Sequence, residues 1–499
     1  MAVRKRDAAT LLPGAAGSVG VGLLASQSPL AAGGAFALTG LFLLPWVGLF
    51  LLMTTLSMIQ AEAYGPLAGV ELLGFDFSPA HFVLIPFAIR AYLTTKPDLR
   101  LRWGKPEWFL VAFALIQPFI TFRKAPAFSQ SLGALGLTAL GILAYLAVYA
   151  AVCTPRRFLS AARIFLWLIL LNAVYGILAE LSHLALGTRI GVSTQSAYGS
   201  GVYGLSFEHD IFASTCAVGA IAFYVLWRER NPIMSHRLSG VAFWLCGAAS
   251  LLGLARGAWR GFGLVFLAMM VLPRGGARRV RGLERVGTTV ILLSIVVLGG
   301  MYVLSSQSST FEAIQQKAED LINVETGTGQ ARLQETAVAL TDWRTSKLFG
   351  LGTGTYNQRH PQKEKTNYIG NIYLRALYET GLVGAFLLIA FLALVFWPNR
   401  SLLYASGDVP AVARALSYGG AVVTVAYAAT DATLFIWPWI MFGLIRASRV
   451  LVDRQYRSAA AVRAAPAAPA TVASGASVSG NGHGAVPVLD RPGAFGASR

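Results

Sequence analysis

The chain has 499 residues, of which 55% are hydrophobic and only 13% charged. Soluble domains carry about a quarter charged residues, so a soluble globular fold is excluded. The formal net charge of +18 would suggest nucleic acid in a soluble chain, but the positions of the basic residues assign them to membrane topology instead, and no nucleic-acid partner is needed.

Residues 1–35 read as a cytoplasmic lead-in. Arg4-Lys5-Arg6 is followed by a stretch, Pro13 to Gly34, too rich in Gly and Ser for the apolar core of a signal peptide. Apolar runs able to cross about 30 Å of hydrocarbon then recur as far as Ser448. They predict about twelve spans, at 36–59, 78–95, 107–122, 131–152, 158–181, 209–227, 239–255, 257–272, 286–304, 370–397, 412–430 and 432–450. Every second loop is basic. Lys96, Arg100, Arg102 and Lys105 follow the second span, Arg156 and Arg157 the fourth, Arg228, Arg230 and Arg237 the sixth, and Arg274 to Arg285 the eighth. Arg400 and Arg414 follow the tenth, and Arg446, Arg449, Arg454 and Arg457 the last. The positive-inside rule therefore puts both termini in the cytoplasm. The alternate loop 60–77 carries Glu62, Glu71 and Asp76 and no Lys or Arg; Arg123 and Lys124 alone run against the pattern. Cys153, Cys216 and Cys246 fall in or beside apolar spans and read as small packing residues, without a structural disulfide.

Candidate chemistry begins at Glu208-His209-Asp210, on the outer side before the sixth span. The two acids either hold a divalent metal beside a phosphate or complement the dipole of the following helix. His209 has the side chain of a general base, as do His360 and, less well placed, His183. Between two basic loops, residues 239–272 must form a tight hairpin whose apex, Ala255 to Gly261, reaches the outer surface. Arg256 and Arg260 lie there at i and i+4, suited either to bidentate binding of phosphate oxygens or to snorkelling at the interface. Gly257 and Gly261 would let a ligand approach the backbone.

The longest hydrophilic segment, 305–369, is an outer loop with its own helices. Phe311, Ile314, Ala318, Leu321 and Ile322 recur at helical spacing, and Gln330 to Arg344 predicts a second amphipathic helix. The run Phe349-Gly-Leu-Gly-Thr-Gly-Thr355 turns the chain and lacks the Lys-Ser/Thr ending of a nucleotide loop. Next comes a polar island at the mouth of a long apolar helix. Asn371, Arg375 and Glu379 lie on one stripe, where Arg375 and Glu379 form either a simple i,i+4 ion pair or part of a site. Asp431 reads as an interfacial turn residue. The tail 458–499, rich in Ala, Gly, Pro and Ser, is predicted to be disordered and cytoplasmic. No internal repeat is visible, which counts against inverted-repeat transporters. The predicted fold class is all-α: a polytopic integral membrane domain over 36–457, with one large extracytoplasmic helical loop between the ninth and tenth spans.

From about 36 to 450 this pattern resembles the Wzy polymerase and O-antigen ligase superfamily of bacterial polysaccharide assembly. The resemblance rests on the spans, the late outer loop with its Leu-Phe-Gly-Leu-Gly-Thr-Gly turn, and Asn371, nine residues, then Gly381-x-x-Gly384. Ligases of the superfamily place His before that Asn; here Gly370 stands there. Polymerases have been described with Arg, ten residues, then Gly in two outer loops. Arg359 and Gly370 fit in the large loop, whereas counting from Arg189 reaches Ser200, flanked by Gly199 and Gly201.

The resemblance implies a GT-C-like glycosyltransferase of the bacterial inner (plasma) membrane. It would move an oligosaccharide from undecaprenyl diphosphate to a sugar hydroxyl on the outer face, without metal or cofactor. Arg256, Arg260, Arg359, Asn371 and Arg375 would bind diphosphate and glycan, and Glu379, His360 or Glu208 would supply the base or positioning carboxylate. A chain-length regulator and other assembly proteins are implied partners. The leading expectation is a repeat-unit polymerase; the alternatives are a ligase using His360, and a lipid-glycan transporter without covalent chemistry.

Overall fold

The computed structural model of the protein describes residues 43–60, 70–72, 75–95, 102–188, 190–196, 199–206, 208–229, 231, 233–271, 328–361, 369–396, 402, 405–431 and 433–464. The expected span 286–304, the loop helix around Phe311 to Ile322, the lead-in and most of the tail lie outside them. By compactness the chain divides into Met1–Tyr456 and Arg457–Arg499.

The described residues are mostly helical. Helices α1 (Trp46–Met58), α2 (Pro79–Thr94), α3 (Lys105–Lys124), α4 (Phe128–Ala151), α5 (Pro155–Leu186), α6 (His209–Glu229), α7 (His236–Leu252) and α8 (Arg256–Val271) precede the large loop. Helix α9 (Thr328–Trp343) belongs to the loop, and α10 (Ile372–Phe396), α11 (Asp408–Ala426) and α12 (Ile436–Ala464) follow it. Among the described residues, α4, α5, α6, α10 and α11 are long and apolar enough to cross a membrane. Local chemistry sets the ends of these helices. Pro155 opens α5 with Thr154 accepting from the Arg157 N–H, and Gly187, at φ 66°, closes it in a left-handed turn.

An all-α reading misses two small hairpins in the connections. Strand β1 (Val70–Leu72) pairs antiparallel with β2 (Phe75–Phe77), and β3 (Val192–Ser196) with β4 (Gly199–Val202). These strands are three to five residues long, too short to give a period-2 signal against the apolar runs around them.

Helix α6 is the hub. It is buried without a break from Ile211 to Leu226, so it is apolar on all faces, and α5, α7, α8 and α11 pack round it. Helix α3 runs along α10, and α9 lies against α10. The turns fall alternately at two ends of the bundle. At one end meet the starts of α6, α8 and α10 and the close of α11. Ile372 N–H donates to the Tyr427 carbonyl at 3.0 Å, and Gly253 abuts the His209 carbonyl. At the opposite end Arg157 donates to Thr95 Oγ1, Arg414 binds Glu229 at 2.6 Å, and Arg446 binds the fully buried Glu107 at 2.8 Å, where Tyr145 also donates. Arg157, Arg414 and Arg446 thus lie toward this end of the bundle.

The expected tight hairpin exists: α7 and α8 are joined by Gly253, Leu254 and Ala255, with Leu254 at φ 51°. Its glycines serve a purpose other than the one expected. A Cβ on Gly257 would meet the Ala426 carbonyl and Ala429, and one on Gly261 would press within 2.7 Å of the Val422 carbonyl. They admit helix α11, not a ligand, as small residues four apart do where membrane helices cross closely. All three cysteines are buried.

Candidate active site

Helix α10 opens on a cap. Asn371 Oδ1 accepts from the N–H groups of Tyr373 and Leu374 at 2.9 and 3.1 Å, which satisfies donors that the helix cannot. Just before it, Gly370 N–H donates to Glu335 Oε1 of α9 at 2.7 Å, and a Cβ on Gly370 would overlap the Arg332 guanidinium. Residues three apart on α9 therefore grip the start of α10. Arg332 also lies 3.6 Å from Asp210 at the start of α6, and Asp210 is 3.4 Å from His209 Nε2. Arg256 begins α8 beside the α11 terminus that holds Ile372. Arg256 is partly buried and Arg260 exposed. Three helix starts, Arg256, Arg332, Glu208, His209 and Asp210 thus belong to one end of the bundle.

Ten residues beyond Asn371, α10 is broken. Gly381 has φ 67° and ψ −166°, and the freed backbone groups are taken up by the glycine-rich turn. Leu351 and Gly352 donate to the Tyr378 and Glu379 carbonyls at 2.9 Å each, while Leu382 and Val383 donate to the Lys347 and Leu348 carbonyls at 2.9 and 3.2 Å. A Cβ at Gly381 would overlap the Leu348 carbonyl, and one at Gly350 would sit 2.5 Å from the Gly381 nitrogen. Irregular backbone inside a bundle persists only where protein groups satisfy it. Gly350, Gly352 and Gly354 all have positive φ, which side chains resist.

The Arg375–Glu379 pair is real, at 3.2 Å, but it is part of a triad. Arg375 Nη1 reaches Asp431 Oδ2 at 2.6 Å, so Asp431 is a buried partner and not only the interfacial turn residue expected. Glu379 Oε1 also accepts from Gly354 N–H at 2.9 Å, and Asp431 Oδ1 accepts from the Thr433 N–H and hydroxyl. Arg375 and Glu379 border a cavity of about 30 Å³, lined also by Gln117, Thr138 and Trp439. That volume takes water and not a sugar.

His360 and Arg359 lie elsewhere. His360 Nε2 is 2.7 Å from Asp342 Oδ2, which also accepts from the Tyr378 hydroxyl at 3.3 Å, and Arg359 donates to the Lys124 carbonyl at 3.2 Å. Burial, then the carboxylates of Glu335 and Asp342, raises the neighbouring Tyr356 phenol above its ordinary value. Asp342 is ten residues from Arg332 on one helix, about 15 Å along its axis. The expected site residues therefore fall into three groups: Glu208, Arg256, Arg260 and the Gly370–Asn371 corner; Arg375 with Glu379; and Arg359 with His360. Arg332, Glu335 and Asp431 were missed. Arg332 and Glu335 had no signal beyond lying on an amphipathic helix, and Asp431 meets Arg375 across 56 residues of sequence.

Residues 241–389 match the family model described as O-antigen ligase. The match supports the resemblance to the Wzy polymerase and O-antigen ligase superfamily over this part of the chain. A search of curated proteins finds no match. The matched segment runs from within α7 to within α10 and so includes Arg256, Arg260, Arg332, Gly370, the glycine turn and the break at Gly381. Glu208, His209, Asp210 and Asp431 come from outside it.

Proposed function

We propose that the protein is a repeat-unit polymerase, transferring an oligosaccharide from undecaprenyl diphosphate to a sugar hydroxyl of a growing glycan. In this reading the chain crosses the bacterial inner membrane about twelve times. Both termini are cytoplasmic, and the large loop and the arginine end of the bundle are extracytoplasmic. A chain-length regulator is the expected protein partner.

The observation that carries the polymerase reading is the corner at Gly370. The ligase pattern needs an imidazole there, and the Arg332 guanidinium occupies the space its Cβ would take. The chemistry agrees. A diphosphate leaving group is stabilised by cations and oriented N–H donors more than by a protonating acid. Arg256, Arg260 and Arg332 offer planar forks for phosphate oxygens, and the starts of α6, α8 and α10 add the positive ends of their helix dipoles. Asn371 and Arg375, both engaged within the protein, serve to shape the site.

The description of the family domain favours a second reading, a ligase that moves finished glycan to lipid or protein. Extraction of lipid-linked glycans from a deletion strain separates the two. A polymerase leaves single repeat units on their carriers with no polymer; intact polymer stranded on the lipid identifies a ligase and overturns the first reading.

A further inference from the structure

If an incoming hydroxyl displaces the diphosphate, its proton needs an acceptor, and the candidates named from sequence are badly placed. Glu379 is held by Arg375 and Gly354, nine residues and about 13 Å down α10 from Gly370. His360 is bound to Asp342, about 15 Å along α9 from Arg332. His183 Nδ1 is 2.6 Å from the Thr188 carbonyl, His81 is buried beside Ser78, and His236 begins α7 at the opposite end of the bundle.

His209 differs from all of these. Its side chain is 31% exposed, and Nε2 lies 3.4 Å from Asp210 Oδ1. The other oxygen of Asp210 lies 3.6 Å from Arg332 Nη2. The guanidinium of Arg332 in turn fills the side-chain space of Gly370. A chain of three side chains thus ties this imidazole to the corner from which a ligase histidine would project. Gly201 of β4 lies beside the residue without a side chain: a Cβ there would come within 3.8 Å of the His209 Cβ and Cγ.

We propose that His209 is the general base of the transfer and that Asp210 positions it, so that the imidazole absent at 370 is supplied from the start of α6. The proposal rests on the reading of the protein as a transferase acting on lipid-diphosphate-linked glycan. The acceptor oxygen bonds to the anomeric carbon as the bond from that carbon to the diphosphate oxygen breaks. The diphosphate leaves with the electron pair, against Arg332 and Arg256. The hydroxyl proton passes to His209 Nδ1, and the carboxylate of Asp210, 3.4 Å from Nε2, stabilises the charge of the imidazolium.

The test uses the full-length protein in lipid vesicles, with undecaprenyl-diphosphate-linked repeat units as donor and acceptor. His209→Ala should lower kcat by about a hundred- to ten-thousand-fold with KM for the lipid-linked unit little changed. Imidazole added to the buffer should restore part of that rate, and should do nothing for Arg332→Ala. His209→Gln, close in size, should be as slow as the Ala variant, which separates chemistry from packing. Asp210→Asn should lower kcat less, and should add nothing when combined with His209→Ala, because the two act as a unit. Wild-type turnover by either His209 variant, or a loss that imidazole leaves untouched, overturns the proposal. A wild-type protein that turns over no lipid-linked glycan overturns the transferase reading beneath it instead.

Discussion

Gly370→Ala tests the corner where α9 meets α10. Gly370 does not have positive φ, so alanine carries no backbone penalty there; its whole effect is the overlap of the new Cβ with the Arg332 guanidinium. That group must move off the corner and away from Asp210, and with it the phosphate contacts proposed for it. A hydrogen bond to a charged group contributes about 1.5–3 kcal/mol, so kcat/KM for the lipid-linked donor should fall about ten- to hundredfold. Arg332→Ala should fall by a similar amount. The double variant should be no slower than Arg332→Ala alone, since truncating Arg332 empties the space that the methyl needs. The assay is initial rate against concentration of lipid-linked repeat units, with protein amount normalised. Full activity in Gly370→Ala, or losses that simply add in the double variant, would refute both the packing at this corner and the phosphate role of Arg332.

The triad should answer to stability more than to turnover. Asp431→Ala leaves Arg375 with a single carboxylate, and breaking a buried pair costs about 3–5 kcal/mol, so thermal denaturation in detergent should shift down clearly; an unshifted melt would sink the coupling. Topology has a simple check. A cysteine at the exposed Thr345 should react with an impermeant maleimide in spheroplasts, and one at the exposed Ser406 only after permeabilisation. The reverse pattern would place the arginines on the cytoplasmic face, away from an extracytoplasmic acceptor.

Much of the fold was legible because apolar length is a strong signal. Each expected span within the described residues coincides with a helix, and the amphipathic segment beginning near Gln330 is α9. The i,i+4 geometry alone gave the Arg375–Glu379 pair. What escaped was long-range. Asp431 completes the triad from the far side of α11, and Arg332 reaches Gly370 from another helix. Helix α10 read as continuous because apolar periodicity continues through Gly381; only the positive φ breaks it, and φ is not written in hydropathy. The spacing of Gly257 and Gly261 beside two arginines suggests a ligand, whereas the part of α11 they admit, at Val422 and Ala426, lies more than 150 residues away in sequence.

The patched break in α10 also constrains how the chain is made. The carbonyls and N–H groups that mend Gly381 belong to residues 347–352, which leave the ribosome some thirty residues ahead of it. The splint is therefore synthesised before the fracture it supports. For α10 to form without leaving four bare backbone groups, residues 347–352 must already lie beside it. Shortening the segment between Tyr356 and Gly370 would tether that splint out of reach, and the defect would appear as failed insertion of α10 during biogenesis, in a protein whose site residues were all intact.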